Sequence, residues 1–446
     1  MRTSPIGPPP ASVVSRRGLH LPATFRALRH RNYLLWFIGQ TISLVGIWMQ
    51  MMAQQVLVYR LTGSAAALGI ISFIGLIPLI PFSLWGGSIS DRFPRRTVIL
   101  LVQIAMMLQA FVLAALTWSG TIQLWHIYLL ALLLAASNAV DLPARQAFTV
   151  DMVEGKEDLT NAIGLNSAMF NGARAIGPAL AGLVVAAVGE GMAFFLNGLT
   201  FVAVITGLLL MRNLPKTDSR LQSKINMMQH MSDGLRFVLR RHVILILFSL
   251  IAVSAFLSMP YNTLMPVFAN DVLKDSAQPV INYLCAGPTP LIRCQAPEAL
   301  PLGILLTMVG VGAVIGALGV ASLKEGASRG LLLTAGNLSF PLLLLTLSFT
   351  RSFLVAIFLM LLIGFSFVWQ NALANTLLQI ITPDEVRGRV MSLYTMIFQG
   401  AMRMGGLQAG FLSDWFGAPF SVGIGAALSL IYGLYIAVRY PKVRDL

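Results

Sequence analysis

Apolar segments long enough to cross a membrane recur along the whole chain, and they constrain its fold more than any other feature. A transmembrane helix needs roughly 20 apolar residues. Backbone polar groups inside a bilayer must be satisfied within their own segment, so each such segment is expected to be an α-helix. The sequence therefore predicts an all-α membrane protein with twelve transmembrane helices, at residues 33–59, 64–90, 97–118, 124–148, 160–188, 191–211, 243–270, 301–322, 331–349, 352–380, 390–413 and 417–438.

The composition excludes a water-soluble enzyme. Of the 446 residues, 57% are hydrophobic and only 11% are charged, against about 25% charged in ordinary soluble domains. The two cysteines and five histidines show no metal-ligand spacing, and the sequence has no phosphate-binding loop ending in Gly-Lys-Ser/Thr. We therefore expect no enzymatic activity, no metal, no cofactor and no ATP-driven pumping.

The net charge of +14 is distributed as a topology signal. Of the 31 Lys and Arg residues, 25 fall in the termini and in alternate loops on one side of the predicted spans. By the positive-inside rule both termini are cytoplasmic. Because the basic residues lie between apolar segments, we do not expect a nucleic-acid partner.

The second half of the chain repeats the first. A shift of 228 residues aligns six identical residues of spans five and eleven, namely Phe170, Gly172, Ala173, Gly177, Ala181 and Gly182 with Phe398, Gly400, Ala401, Gly405, Ala409 and Gly410. Shared membrane-helix composition is the alternative, but the matching span order favours two pseudo-symmetric six-helix bundles. The predicted organisation is a cytoplasmic arm (1–32), a first bundle (33–211), a cytoplasmic linker with an amphipathic helix (212–242), a second bundle (243–438) and a cytoplasmic tail (439–446).

An extracytoplasmic insert at 271–300 holds both cysteines, Cys285 and Cys294. An oxidising exterior favours a disulfide between them. Two unpaired thiols are the alternative.

Four short motifs point to a family. They are Gly87-Ser-Ile-Ser-Asp91-Arg92-Phe-Pro94-Arg95-Arg96 after span two, Asp141-Leu-Pro143-Ala-Arg145-Gln146-Ala followed by Asp151 in span four, Gly177-Pro178-Ala-Leu-Ala181-Gly182 in span five, and Pro383-Asp-Glu-Val-Arg387-Gly388-Arg389 before span eleven. In order and spacing they resemble the major facilitator superfamily, in particular the branch of enterobactin exporters and macrolide efflux proteins. Pro94 departs from the family pattern, which usually has Gly there.

The resemblance implies a fold, a mechanism and a location. It implies the major facilitator fold in a bacterial cytoplasmic (inner) membrane, and export of a small molecule by alternating access, driven by a proton gradient and without a cofactor. The expected partners are the substrate, protons and the lipid bilayer, and the expected state is a monomer. The resemblance also assigns two groups of residues: a cytoplasmic gate of Gly87, Asp91, Arg92, Arg95 and Arg96 with Asp151 as counter-charge, and an antiporter motif of Gly177, Pro178 and Gly182.

Ionisable residues inside spans are costly and usually functional. Asp141 is the clear intramembrane carboxylate and hence the candidate for proton coupling; a purely structural pair with Arg145, one turn away, is the alternative. Helix rise places Asp141 and Arg174 about 10 Å apart along the membrane normal, which disfavours a direct bridge.

Arg174 and Arg403 favour an anionic or phenolic substrate, unless they only satisfy backbone carbonyls. Other polar or aromatic candidates for a central pocket are Gln40, Ser43, Gln50, Gln54, Tyr261, Asn262, Trp369, Asn371 and Asn375.

Two further functions fit the same sequence. Lipid or lysolipid translocation is a second transport reaction, and a transport-inactive membrane receptor or scaffold belongs to a different class. The expected substrate is a small amphipathic molecule, either siderophore-like or a drug.

Overall fold

The computed structural model describes residues 23–78, 94–153, 155–212, 227–286, 293–323, 328–441 and 444, and all regular structure in these ranges is helical. After a 3₁₀ turn at Ala23–Arg29, the first half contains α1 (Arg31–Thr62), α2 (Ala65–Ile74), α3 (Arg95–Trp118), α4 (Leu124–Met152), α5 (Lys156–Val188) and α6 (Glu190–Leu210). A linker helix follows, α7 (Met227–Arg240). The second half contains α8 (His242–Val253), α9 (Tyr261–Val267), α10 (Lys274–Cys285), α11 (Ala299–Ala321), α12 (Arg329–Phe349), α13 (Phe353–Ile381), α14 (Asp384–Phe416) and α15 (Ala418–Arg439).

In the described ranges, ten helical segments are long and apolar enough to cross a membrane. One of them, His242–Val272, comprises α8, a π-helical turn at Ser254–Ser258, α9 and a second π-helical turn at Phe268–Val272. Pro260 and Pro266 lie in the same segment. Two predicted spans are not among the ten. The α2 helix has 10 residues before the described range ends, and α14 has six charged residues in its 33. The all-α fold is confirmed, and the helices are consistent with twelve spans.

Each half packs mainly on itself. In the first half α6 contacts α1 and α3, and α5 contacts α1; in the second half α13 contacts α11 and α12, and α12 contacts α15. The linker helix α7 packs against α14, where Gly234 lies beside Arg389. Between the halves, α5 packs along α11 and α2 packs along α14.

Two glycines 228 residues apart mark the same turn in each half. Gly189 separates α5 from α6 at φ 82°, and Gly417 separates α14 from α15 at φ 88°. This left-handed backbone is open to glycine without the steric cost that a Cβ would bring. The recurrence of the turn supports the repeat that the sequence predicts.

The two halves are joined at one end only in the described residues. We call the end where α1 begins the inner end and the end where it finishes the outer end. Near the outer end a Cβ atom at Gly182 of α5 would lie 3.1 Å from Cα of Gly303, and one at Gly410 of α14 would lie 2.6 Å from the carbonyl oxygen of Ala65. Near the inner end, added Cβ atoms at Gly164 of α5 and Gly388 of α14 would meet no described atom within 4 Å. Among the described residues, the seam between the halves is therefore closed at the outer end and open at the inner end.

Candidate functional site

A buried acid–base pair lies inside the first half. The Asp141 side chain is only 4% exposed, and its carboxylate accepts hydrogen bonds from Arg145 and from Nε2 of Gln103 at 3.3 Å. Arg145 also donates to Oε1 of Gln40 and lies over the ring of Trp36, 5.6 Å from the ring centroid. Because the Arg145 side chain is 19% exposed, it is the more accessible member of the pair. Asp141 is paired with Arg145 on its own helix and forms no ion pair with Arg174.

Arg174 lies on α5 at the seam between the halves. Its guanidinium carbon is 5.9 Å from the ring centroid of Trp48 in the first half and 5.2 Å from that of Phe367 in the second. Cation–π attraction to both rings stabilises the charge in part. Among the described residues, Arg174 forms neither a hydrogen bond nor an ion pair. A partly buried cation without a counter-charge costs free energy, so this site is suited to an anion.

Arg403 lies in the corresponding helix α14, one position out of the 228-residue register, and also reaches across the seam. Its Nη1 donates to the backbone carbonyl oxygen of Ser72 at 3.2 Å, and its buried Nε has no partner in the described ranges. Gly75 makes room for the guanidinium, since a Cβ there would overlap Nη1. Arg403 thus satisfies a backbone carbonyl, which was the structural alternative for both arginines. Arg174 does not.

A small void borders Arg174 on its outer side. It is formed by helices of both halves, α1 and α5 on one side and α9 and α11 on the other. Its lining residues are Trp48, Met51, Met52, Gln55, Arg174, Pro178, Asn262, Leu306 and Val309. Arg174, Pro178 and Asn262 are among the residues predicted from the sequence, whereas Trp48, Met51, Met52, Gln55, Leu306 and Val309 are not. The residues Trp48, Met51, Met52 and Gln55 recur at helical spacing, so one face of α1 carries a sequence signal for this void.

Several predicted pocket residues lie elsewhere. Gln50 lies inside the first half: its Nε2 donates to Gln109 at 3.1 Å and its Oε1 accepts from Asn197 at 2.7 Å, so it links α1 to α3 and α6. A buried amide is stable only with such partners, and those partners are not at the seam. Gln54 and Ser43 are buried on α1 as well.

The predicted residues of the second half are divided between its core and its inner end. Asn371 accepts a hydrogen bond from the Tyr394 hydroxyl at 2.9 Å, and Asn375 accepts one from Gln379. Both asparagines are half-buried. Tyr261 is buried against Phe340, and Trp369 stacks at 5.0 Å on Phe365. Two predicted residues of the second half are near Arg174: Tyr261, which interacts with it electrostatically, and Asn262, which lines the void beside it.

The motif residues have distinct structural roles where they are described. Arg95 Nη1 contacts both carboxylate oxygens of Asp151, at 2.8 and 2.9 Å, and Arg96 donates to the carbonyl oxygen of Leu209 at 3.1 Å. Of the other predicted gate residues, Gly87, Asp91 and Arg92 lie outside the described residues. In the antiporter motif, Gly177 lies against the backbone of α1 at Trp48, Pro178 is inside α5, and Gly182 packs on Gly303.

The two cysteines are bonded to each other. Cys285 and Cys294 form a disulfide with Cα atoms 5.5 Å apart. This removes the alternative of two unpaired thiols.

Comparison with known proteins identifies the family. The family model described as "Transmembrane secretion effector" matches residues 22–286 and 289–445. The chain is 25% identical over 387 residues to a staphyloferrin A transporter of Staphylococcus aureus (86% of this chain, 89% of the relative). It is also 25% identical over 400 residues to the multidrug efflux pump Tap of Mycobacterium tuberculosis (87% and 88%).

The fold is that of solved transporters. The crystal structure of the nucleoside transporter NupG superposes with a TM-score of 0.69 at 12% identity, covering 91% of this chain and 98% of that one. Such a likeness shows the fold alone. With the family model matching nearly the whole described chain, this membrane transporter belongs to the transmembrane secretion effector family of the major facilitator superfamily.

Proposed function

We propose that this protein exports a small amphipathic anion across the bacterial cytoplasmic membrane by alternating access, in exchange for protons. The observation that carries the proposal is Arg174, a seam cation held between two aromatic rings with no counter-charge among the described residues. The names of the relatives, one a staphyloferrin A transporter and one a multidrug efflux pump, support a small-molecule substrate. The siderophore-like and drug-like classes both remain within the proposal.

The surroundings of Arg174 favour an amphipathic molecule over a simple inorganic ion. The void beside it combines the thioethers and alkyl groups of Met51, Met52, Leu306 and Val309 with the amides of Gln55 and Asn262. Methionine adapts its shape to an apolar ligand, and a few polar groups in an apolar pocket fix a ligand's orientation. An anionic group of the substrate would contact Arg174 while its apolar part would contact the methionines.

The proposed proton site is separate from the proposed substrate site. Asp141 is buried and neutralised by Arg145 in this inner-open state. The 228-residue repeat pairs Asp141 with Trp369 in the second half, and the next residue, Gln370, is an amide bonded to Ser254 and Asn337. Neither side chain can take up a proton, so we place the ionisable site in the first half. Rocking of the halves would expose Asp141 to the other side of the membrane.

The test compares the compounds that cells release. Medium and cells are profiled for all metabolites with wild-type protein, with Arg174→Ala and with no protein. Arg241→Ala is the matched control, because Arg241 also lies on an aromatic ring, 5.4 Å from the Phe237 centroid, but at the cytoplasmic linker. We expect one or more anionic compounds that wild type and the control release and that Arg174→Ala retains inside. Release of the same anions by Arg174→Ala at the wild-type level would contradict the proposal.

A further inference from the structure

Polar contacts join the outer ends of the two halves, away from the proposed substrate and proton sites. The hydroxyl of Tyr59, at the end of α1, donates to the carboxylate of Asp271 in the second half. The carboxylate of Asp414, at the end of α14, accepts hydrogen bonds from the start of α2, where the donors are the Ser64 hydroxyl at 2.6 Å, the Ala65 amide at 2.7 Å and the Ala66 amide at 3.2 Å. In both contacts the first half supplies the donor and the second half supplies the carboxylate.

Asp414 caps a helix that belongs to the other half. The first amide groups of a helix have no partner within that helix, and negative charge is favoured at its N-terminus. Ser64 accepts a hydrogen bond from the amide of Ala67 at 3.2 Å while it donates to Asp414. The start of α2 therefore lacks part of its capping when the halves separate, unless water replaces Asp414.

The disulfide-bonded insert adds a third contact at the same end. The backbone amides of Gln295 and Ala296 both donate to the carbonyl oxygen of Ala186 near the end of α5, at 2.6 and 3.1 Å. Cys294, which is bonded to Cys285, immediately precedes Gln295. The disulfide thus restrains the segment that contacts the first half.

The two cross-seam carboxylates are exposed, so their contacts can break and form again at low cost. Asp271 and Asp414 are both exposed residues, so water can solvate each carboxylate after the donor has left. An ion pair on the same side, Arg60 with Glu190, differs in that Glu190 is 1% exposed and both residues belong to the first half. Separating a buried charge from its partner costs far more than separating an exposed one. The cross-seam carboxylates are the separable contacts, and the Arg60–Glu190 pair stays within its half.

We propose that Asp271 and Asp414 are the outer-gate residues of this transporter. They hold the outer ends together in the inner-open state and must release Tyr59 and the start of α2 before the substrate leaves. This proposal rests on the alternating access proposed above, but not on the charge of the substrate or on the identity of the proton site.

The test measures the gate directly, in the absence of substrate. Spin labels on Ser119→Cys of the first half and Ser352→Cys of the second half, both exposed at the outer end, report the distance across the outer seam by pulsed electron paramagnetic resonance. The native cysteines are both in the disulfide, so without reductant only the introduced thiols are labelled. The protein is purified full-length and placed in lipid nanodiscs.

The expected result is a shift toward longer distances. Because hydrogen bonds to charged groups are among the stronger ones, the double variant Asp271→Ala/Asp414→Ala should raise the ratio of outer-open to outer-closed molecules by about tenfold or more. Asp414→Asn and Tyr59→Phe should shift it less, in the same direction. Asp275→Ala, at an exposed carboxylate of α10 with no contact across the seam in the described residues, is the matched control and should leave the ratio unchanged.

If the double variant elutes and melts as the wild type does and its distance distribution is unchanged, the proposal is overturned. If the double variant does not fold, unchanged distance distributions in both Asp414→Asn and Tyr59→Phe would overturn it. If Arg174→Ala still releases the anions in the metabolite test but the outer distances lengthen as expected here, the proposed anionic substrate is wrong and the proposed outer gate is retained.

Discussion

At the residue scale, Asp141 and Arg145 show why the position of a charge inside the membrane matters more than its presence. The carboxylate has one charged partner and one amide partner, Gln103, and almost no exposure. Arg145 is the more exposed member of the pair. Because Asp141 is almost unexposed, solvent reaches its carboxylate only when its partners move.

We expect Asp141→Asn to abolish uphill export under an imposed pH gradient, down to the rate of vesicles without the protein. Asparagine keeps the shape of the side chain, and its one oxygen can still accept from either Gln103 or Arg145, but it cannot bind and release a proton. Substrate binding should persist, because Arg174 is unchanged. Transport by proteoliposomes at a controlled pH difference measures the effect.

Asp275→Asn serves as the matched carboxylate control for that experiment and should export at the wild-type rate. Uphill export by Asp141→Asn at the wild-type rate would make Asp141 a structural partner of Arg145 only.

At the element scale, small residues determine where two helices approach closely. Gly182 and Gly303 bring the outer parts of α5 and α11 together, whereas Gly164 on the inner part of α5 faces open space among the described residues. The same helix is therefore tightly packed at one end and free at the other. Such close contacts let helix backbones approach within a membrane, where van der Waals packing rather than the hydrophobic effect joins helices.

Gly182→Val tests this arrangement. The added Cβ would lie 3.1 Å from the Gly303 Cα, and backbone cannot rotate away as a side chain does, so the helices must separate at a cost of about 1–3 kcal/mol. We expect a lower melting temperature in nanodiscs and slower transport. Gly164→Val is the control on the same helix and should leave both unchanged. Equal effects of the two substitutions would show that packing at the outer seam is not the cause.

The disulfide offers a second test at this scale. Cys285 and Cys294 are nine residues apart, and closing so short a loop restricts the unfolded insert by about 2–3 kcal/mol. The double substitution Cys285→Ser/Cys294→Ser should make the insert more sensitive to protease than the wild type, whereas the rest of the chain should be cleaved at an unchanged rate. Identical cleavage of the insert in both proteins would contradict this expectation.

At the scale of the whole molecule, the two halves are repeats that have kept their turns but not their chemistry. Gly189 and Gly417 have the same left-handed backbone 228 residues apart, and Arg174 and Arg403 occupy corresponding helices. Yet Arg403 bonds a backbone carbonyl while Arg174 contacts only aromatic rings among the described residues. The duplicated frame thus presents one site that is suited to an anion and one that is not.

The orientation of this frame in the membrane is testable by thiol labelling. The positive-inside rule predicts that the inner end is cytoplasmic. Ser328, just before α12, is exposed at the inner end, and Ser119 is exposed at the outer end. A membrane-impermeant maleimide should therefore label Ser328→Cys in inverted vesicles and Ser119→Cys in intact cells. The reverse pattern would invert the assigned topology.

The sequence by itself determined the features that depend on composition and period. Span-length apolar segments can only be helices in hydrocarbon, so the all-α fold was readable, and ordered motifs indicated the superfamily. The Asp141–Arg145 pair was also a stated possibility, because residues four apart on a helix are neighbours whatever the rest of the chain does.

The tertiary structure decided which face of each helix meets which neighbour. Gln50 and Met51 are adjacent in sequence, yet Gln50 is bonded inside the first half and Met51 lines the void beside Arg174. The hydrophobic pattern of a membrane helix does not distinguish the face that contacts lipid from the face that contacts another helix, because both neighbours are apolar. The cross-seam bonds of Asp271 and Asp414 join residues 212 and up to 350 positions apart. No local pattern specifies such pairs, because they form only when the two halves pack against each other.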